Sequence, residues 1–258
     1  MESLNEIKRD TFSALLLQGK RSDGRAMYDY RKINVQPSIL QNAEGASLVS
    51  IGRSQVMAGI KFGIAKPYAD RPTEGVLSTS ADLLPLASHL FETGPPSEEA
   101  IELARVVDRG IRSANIVDLS SFSIDEEKVL ALYIDLYILD HDGNLIDTAA
   151  LAAMSALSSA RMPKIEAGKI IRGEFTGKLP VKEKVVTCTF GKLGAKSFLD
   201  PSLDEEKGMD CRLTIATTPT HMCAAQKGGW GTVTEKDLAE FLDISMEKGN
   251  ELRALIRG

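Results

Sequence analysis

Apolar positions along the chain change their period several times, and each change marks an element. From Ile33 to about Lys66, short β-rich runs such as SLVSIG and SQVMAGIKF lie between glycines and polar turns, which predicts an antiparallel meander closed by Pro67. Pro67 to Pro96 is punctuated by Gly and Pro, after which IELARVVDRGIRSA resumes a helical period from about Glu98. The run KVLALYIDLYILD has one nearly all-apolar face (Leu130, Leu132, Ile134, Leu136, Ile138) and a mixed one (Tyr133, Asp135, Tyr137), as a central strand requires, and it ends in a DG turn. Asp147 then starts DTAALAAMSALSSARM, whose small residues suit a helix packed closely over a sheet, and Pro163 stops it.

The same style returns afterwards. KVVTCTFGKLGAKSFLD alternates like a hairpin, RLTIATTP reads as a strand, and Thr234 with Asp237 caps a last helix carrying Leu238, Phe241, Leu242, Leu252 and Leu255. At the other end, Ser3 and Glu6 form a capping-box pattern, Leu4, Ile7, Ala14 and Leu15 recur at roughly helical spacing, and Gly19 can end that helix. The chain therefore divides into a half spanning residues 1–163 and a half spanning 164–258. An ancient duplication and a single fused α+β domain are equal readings of that repetition.

Composition narrows the function. With 258 residues and 43% hydrophobic content the chain can bury a substantial core. A formal net charge of −5 excludes the global basic excess of many nucleic-acid binders, so any such contact must come from a local cluster or a partner. Cys188, Cys211 and Cys223 form no CxxC pair, which points to reduced thiols in a reducing compartment. The N-terminus MESLNEIKRD has no apolar signal core, and the greasiest stretch, Val129 to Leu139, is about half the length that spans a bilayer and contains Asp135; the expectation is a cytoplasmic protein with no membrane partner.

One local cluster exists. Arg105, Arg109 and Arg112 fall at i, i+4 and i+7, within about 60° of one another on a helix, opposite Leu103, Val107, Gly110 and Ala114, which would face the sheet. By itself such a stripe is a solvated face paired with Glu102 and Asp108, or a grip for anions. Asp204 and Asp210 flank a turn leading into a strand, as a solvated acidic loop or as working carboxylates. His89, His141 and His221 lack companions at ligand spacing, so no metal site is expected. QKGGWG lacks the GxxxxGK[ST] pattern and reads as a turn, and Trp230 fits a core, an interface or a base-stacking role equally.

RSDGR (21 to 25), GPPSEEAIELARVVDRGIR (94 to 112), LDPSLDEEKGMDCRLTIA (199 to 216) and CAAQKGG (223 to 229), in this order across nearly the whole chain, resemble the RNase PH family, and within it the ring subunits of the archaeal exosome. The resemblance implies an α/β (α+β) fold of two similar βα halves, each a mixed sheet covered by helices. It implies an alternating hexameric ring, a trimer of heterodimers with a catalytic paralogue, joined by RNA-binding cap subunits. Such a ring shortens single-stranded RNA from the 3′ end with inorganic phosphate and Mg2+, and this subunit type is expected to hold no cofactor.

Carried onto these residues, the resemblance makes Asp204 and Asp210 relics of an acid pair, so no residue here is expected to be catalytic. The stretch matching the family's phosphate loop is Asp142 to Leu145, which has no Ser, Thr or Arg at the matching positions and places Asp140, Asp142 and Asp147 nearby. Glu98 and Glu99 stand where catalytic paralogues carry an Arg pair. Arg105 and Arg109, with Arg112 beside them, match the cations that line the RNA path next to the partner's site. The rival expectation is an independently active phosphorolytic exoribonuclease using Asp204 and Asp210.

Overall fold

The computed structural model describes residue 12, residues 14–16 and residues 18–257. Of the N-terminal helix, Phe12 and residues 14–16 are helical and Gly19 turns the chain at φ +70, whereas Ser3, Leu4, Glu6 and Ile7 lie outside the described residues.

The meander is present. β1 (Ile33–Pro37), β2 (Gly45–Ile51) and β3 (Ser54–Ala65) pair antiparallel in sequence. In β3 every second residue from Ser54 to Phe62 is at most 1% exposed, the period of two that puts one strand face on a core. The span between Pro67 and Pro96 holds a strand that its polar sequence conceals, β4 (Val76–Leu83). It is followed by α1 (Glu98–Ser113) and a 3-10 turn at Leu119–Phe122. β5 (Val129–Asp140) runs antiparallel to β3 and parallel to β4, giving the order β1-β2-β3-β5-β4 and the central place its apolar face requires.

α2 spans Leu145–Ser158, so it starts two residues before Asp147, and Asn144 takes the capping position. Pro163 does not stop this helix. It lies inside β6 (Arg161–Glu166), which pairs with β7 (Lys169–Lys178) through register shifts on both sides of the proline, where a residue without an N–H is tolerated.

The second sheet is built from β8 (Val186–Leu193), β9 (Lys196–Leu199), β10 (Cys211–Thr217) and β11 (Met222–Gly229), in the order β11-β10-β8-β9 and antiparallel throughout. The short α3 (Leu203–Gly208) precedes β10, and α4 (Glu235–Leu255) closes the chain behind the Thr234 and Asp237 capping box. Residues 226–229, read as a turn from sequence, belong to β11. The turn is confined to Gly229, Trp230 and Gly231: Gly229 adopts φ +83, and the amides of Trp230 and Gly231 both donate to the Asp210 carbonyl.

α2 lies between the two sheets, packed on β2 and β3 on one side and on β8 on the other. Every residue from Ile146 to Leu157 is buried, which explains its alanine-rich sequence, apolar nearly all round. A single hydrophobic cluster runs through it from Val49 and Phe62 to Phe190 and Ile215, so the halves share one core. The three cysteines are free thiols, and burial pushes Cys188 up to about 12. Among the described residues no helix is long and apolar enough to cross a membrane.

Candidate nucleic-acid interface

α1 forms where the sequence offers a cap, a dipole match and an apolar stripe. The Ser97 hydroxyl accepts from the Ala100 amide, Glu98 and Glu99 occupy the first turn and Arg112 the last. Leu103, Val107 and Gly110 are buried against the body of the protein, and Arg105, Arg109 and Arg112 are all exposed on the other side.

The three guanidiniums have different surroundings. Arg105 has no hydrogen-bond or ion-pair partner among the described residues, so its charge is fully available. Arg109 donates from Nη1 to the Gln226 side-chain carbonyl on β11 at 2.8 Å. Arg112 is turned back onto the protein. Its Nε donates to Asp108 at 2.6 Å and its Nη2 to the Leu77 carbonyl of β4, while Asp108 also accepts from Thr79. Glu102 pairs not with these arginines but with Arg212 of β10, at 2.7 Å.

The loop between β5 and α2, by contrast, is closed by the protein itself. Gly143 adopts φ +85 and sits so close to α3 that a Cβ would lie 2.4 Å from the Leu203 nitrogen, so only glycine fits. The Asp142 amide donates to Ser54 Oγ at 2.9 Å, the Gly143 amide to His141 Nδ1 at 3.4 Å and the Asn144 amide to Glu206 Oε1 at 2.8 Å. Arg31 donates to the Asp142 and Gly143 carbonyls, and Arg53 pairs with the Asp142 carboxylate at 3.1 Å. Amides that begin a helix attract anions; here one of them already holds a carboxylate.

Beside this loop lies a cavity of about 130 Å³ whose charged lining is Glu99, Glu102, Glu206 and Arg212. Burial raises the Glu206 carboxyl to about 7, with the Asn144 amide and Arg212 opposing that rise. His141 stacks on Phe91 and is lowered by burial, so it is a packing residue that stays neutral. Glu99 and Glu102, with a partly ionised Glu206, against one guanidinium give the cavity a field that disfavours an inorganic anion.

Asp204 is exposed on α3. Asp210 is half-buried at the start of β10, where its Oδ2 accepts from the Gly194 amide at 2.8 Å. Among the described residues, no three His, Cys, Asp or Glu side chains gather in a metal-holding arrangement. Trp230 is 101% exposed, which removes the core from its three readings.

Sequence reasoning missed the polar network that joins the halves beneath this surface. Arg21 of the RSDGR motif is buried and bonds Glu205 with Nε and Nη2 and the carbonyls of Leu199 and Asp200. Arg25 reaches Asp200 at 2.7 Å, and Arg31 grips both oxygens of the same carboxylate at 2.8 and 2.9 Å. Asn144 donates from Nδ2 to Asp200 and Asp147. Asp147 also accepts from Tyr30, Thr187 and Thr189, and its burial raises it to about 6. The signal available in the sequence was two dense motifs of opposite charge, RSDGR and LDPSLDEEK, far apart in the chain.

Comparison with known proteins agrees with this architecture. The model of the 3′ exoribonuclease family, domain 1, matches residues 29–163, and that of domain 2 matches residues 184–248. The exosome complex component Rrp42 of Thermococcus kodakarensis is 44% identical, covering 98% of this chain and 95% of that protein. Its counterpart in Pyrococcus abyssi is 43% identical over 97% of this chain and 93% of its own length. Among solved structures, a chain of the Archaeoglobus fulgidus exosome with RNA bound to the active site superposes with a TM-score of 0.92 at 42% identity, covering 98% of this chain and 99% of that one. A chain of an archaeal exosome core gives 0.86 at 39% identity, covering 97% and 96%.

Proposed function

The chain belongs to the 3′ exoribonuclease family, RNase PH, and from that premise we propose that it is a non-catalytic ring subunit of an archaeal-type exosome that holds single-stranded RNA beside a partner's active site. The observation that carries this is a reversal of charge between two surfaces. Where a phosphorolytic site needs donors facing an anion, this chain places Glu99, Glu102 and Glu206, and fills the loop amides with Ser54, His141 and Glu206. The outer face of α1 presents Arg105 and Arg109, neither of them in an ion pair with an acid among the described residues.

In this reading the paralogous partner supplies the phosphate site and the Mg2+, and cap subunits deliver the RNA. Arg105 and Arg109 hold the backbone because a guanidinium stays charged at any working pH and its planar fork fits two phosphate oxygens. Arg112 contributes less, since Asp108 offsets its charge at 2.6 Å. Asp204 and Asp210 are relics whose side chains now belong to the local structure. Assembly with other subunits around RNA is supported by the full-length likeness to chains of an exosome with bound RNA and of an exosome core, and the alternation of two subunit types is part of the proposal.

The test is phosphate-dependent shortening of a 5′-labelled oligoadenylate by this chain alone, by the paralogue alone and by the two mixed. Inactivity alone, with processive shortening that appears or accelerates in the mixture, is the expected result. Shortening by this chain alone, abolished in Asp210→Ala, would overturn the reading in favour of an independent enzyme.

A further inference from the structure

We propose that Gln226 is a positioning residue for RNA binding, a neutral anchor that fixes the Arg109 guanidinium without cancelling its charge. The inference rests on the RNA-holding role proposed for Arg109 and adds to it a residue on the opposite element of the fold. Three guanidiniums lie along the seam between α1 and its neighbouring strands. Arg112 on α1 is held by Asp108 at 2.6 Å, and Arg212 on β10 by Glu102 at 2.7 Å, both by carboxylates. Arg109 is the one of the three that, among the described residues, is held by a neutral acceptor and no carboxylate, the Gln226 Oε1 at 2.8 Å.

The difference has a physical consequence. A carboxylate partner fixes a guanidinium but removes most of its attraction for a phosphate, whereas an amide carbonyl uses one N–H and leaves the charge and the other donors intact. An unanchored arginine would have to lose side-chain freedom on binding, a cost that prior fixing removes. Gln226 can act this way because it is fixed in turn. Its backbone, on the edge strand β11, is paired to Thr214 of β10, and its Nε2 donates to the Lys227 carbonyl at 3.4 Å, which leaves Oε1 turned to Arg109. Packing between the elements sets the separation, with Val106, Thr214 and Ala224 lining the small gap beneath the pair.

The experiment uses the assembled ring and measures the affinity for a fluorescent oligoadenylate over a range of KCl concentrations. Arg109→Ala is expected to weaken binding and to reduce the salt slope by about 0.7, the loss of one single-strand phosphate contact. Gln226→Ala keeps the charge but frees the side chain, so affinity falls roughly three- to tenfold with the slope unchanged. Gln226→Glu converts the anchor to a carboxylate, so affinity falls further and the slope drops as in Arg109→Ala. Combined with Arg109→Ala, Gln226→Ala should have no further effect. If Arg109→Ala leaves RNA binding unchanged, the role of Arg109 itself fails. If Arg109→Ala weakens binding but both Gln226 variants bind as the parent does, or Gln226→Ala weakens the Arg109→Ala ring as much as the parent ring, the positioning role of Gln226 is overturned while the reading of Arg109 stands.

Discussion

Arg112 and Arg105 share a helix face and a charge, yet only one is tied to the fold. Arg112→Ala leaves Asp108 with Thr79 as its donor and takes the guanidinium from the Leu77 carbonyl, and a loss of about 1–3 kcal/mol is expected in thermal or urea unfolding, with a smaller effect on RNA affinity than Arg105→Ala has. Arg105→Ala is expected to leave stability within about 0.5 kcal/mol and to cut the salt dependence of RNA binding by the ring. The spacing of the three arginines was legible because a helix converts spacing directly into angle. The pairing with Asp108 on the same helix was legible too, whereas Leu77 and Gln226 come from strands distant in the chain and Glu102 is drawn off by Arg212. Glu206 makes a second residue-scale case. Its folded carboxyl titrates at about 7 against 4.5 for the free group, so the folded state binds the proton more tightly. The resulting stability is fully present below about 4.5 and is lost as pH rises through about 7, by at most about 3 kcal/mol. Glu206→Gln keeps an oxygen for the Asn144 amide and removes the charge, so its melting temperature should vary less between pH 5 and pH 8 than the parent's. An unchanged pH profile would show that the buried charge of Glu206 is not what makes the fold pH-dependent.

Elements whose two faces differ were readable, and those without that contrast were not. β3 and β5 alternate against one core, and α1 alternates at the helical period, so their extents follow from sequence within a few residues. β4 is VLSTSADL, where Ser78, Ser80 and Asp82 face solvent and only Leu77 and Ala81 are fully buried, too few to mark a strand that packs at the edge of the sheet. β11 opposes glycines and alanines to β10, and Gly228 and Gly229, which read as a turn, lie close against Arg212, Asp210 and Cys211. Asp147 reads from the sequence as the start of α2, which begins at Leu145. Asp147 is instead a buried acceptor, and the true cap, Asn144, holds a left-handed conformation at φ 51. The loop before α2 depends on this geometry. Gly143→Ala places a methyl 2.4 Å from the Leu203 nitrogen at φ +85, with backbone on the other side that cannot swing away, and a destabilisation above about 2 kcal/mol is expected in urea unfolding.

At the scale of the molecule, the repeated order of strands and helix suggests two halves, and the seam between them left only a faint sequence signal, two motifs of opposite charge far apart in the chain, because the rest of it is ordinary core. Several observations argue that neither half is stable alone. α2 is buried on all sides from Ile146 to Leu157, and one of those sides is β8 of the second sheet. Asp147 takes hydrogen bonds from Thr187 and Thr189, so without residues 164–258 a buried carboxylate would lose three of its five hydrogen bonds. Arg21 would lose Glu205, its carboxylate partner, and Arg25 and Arg31 would lose Asp200 and keep only Asp23 and Asp142. A fragment of residues 1–163 is therefore expected to show no cooperative thermal transition and poorly dispersed amide resonances, whereas the full chain unfolds in one step. Adding a separately made fragment of residues 164–258 should restore dispersion if the shared core is what orders α2. A cooperative transition in the 1–163 fragment alone would instead mean that the first sheet and α1 suffice to order α2, and that the buried network serves to orient the halves rather than to fold them.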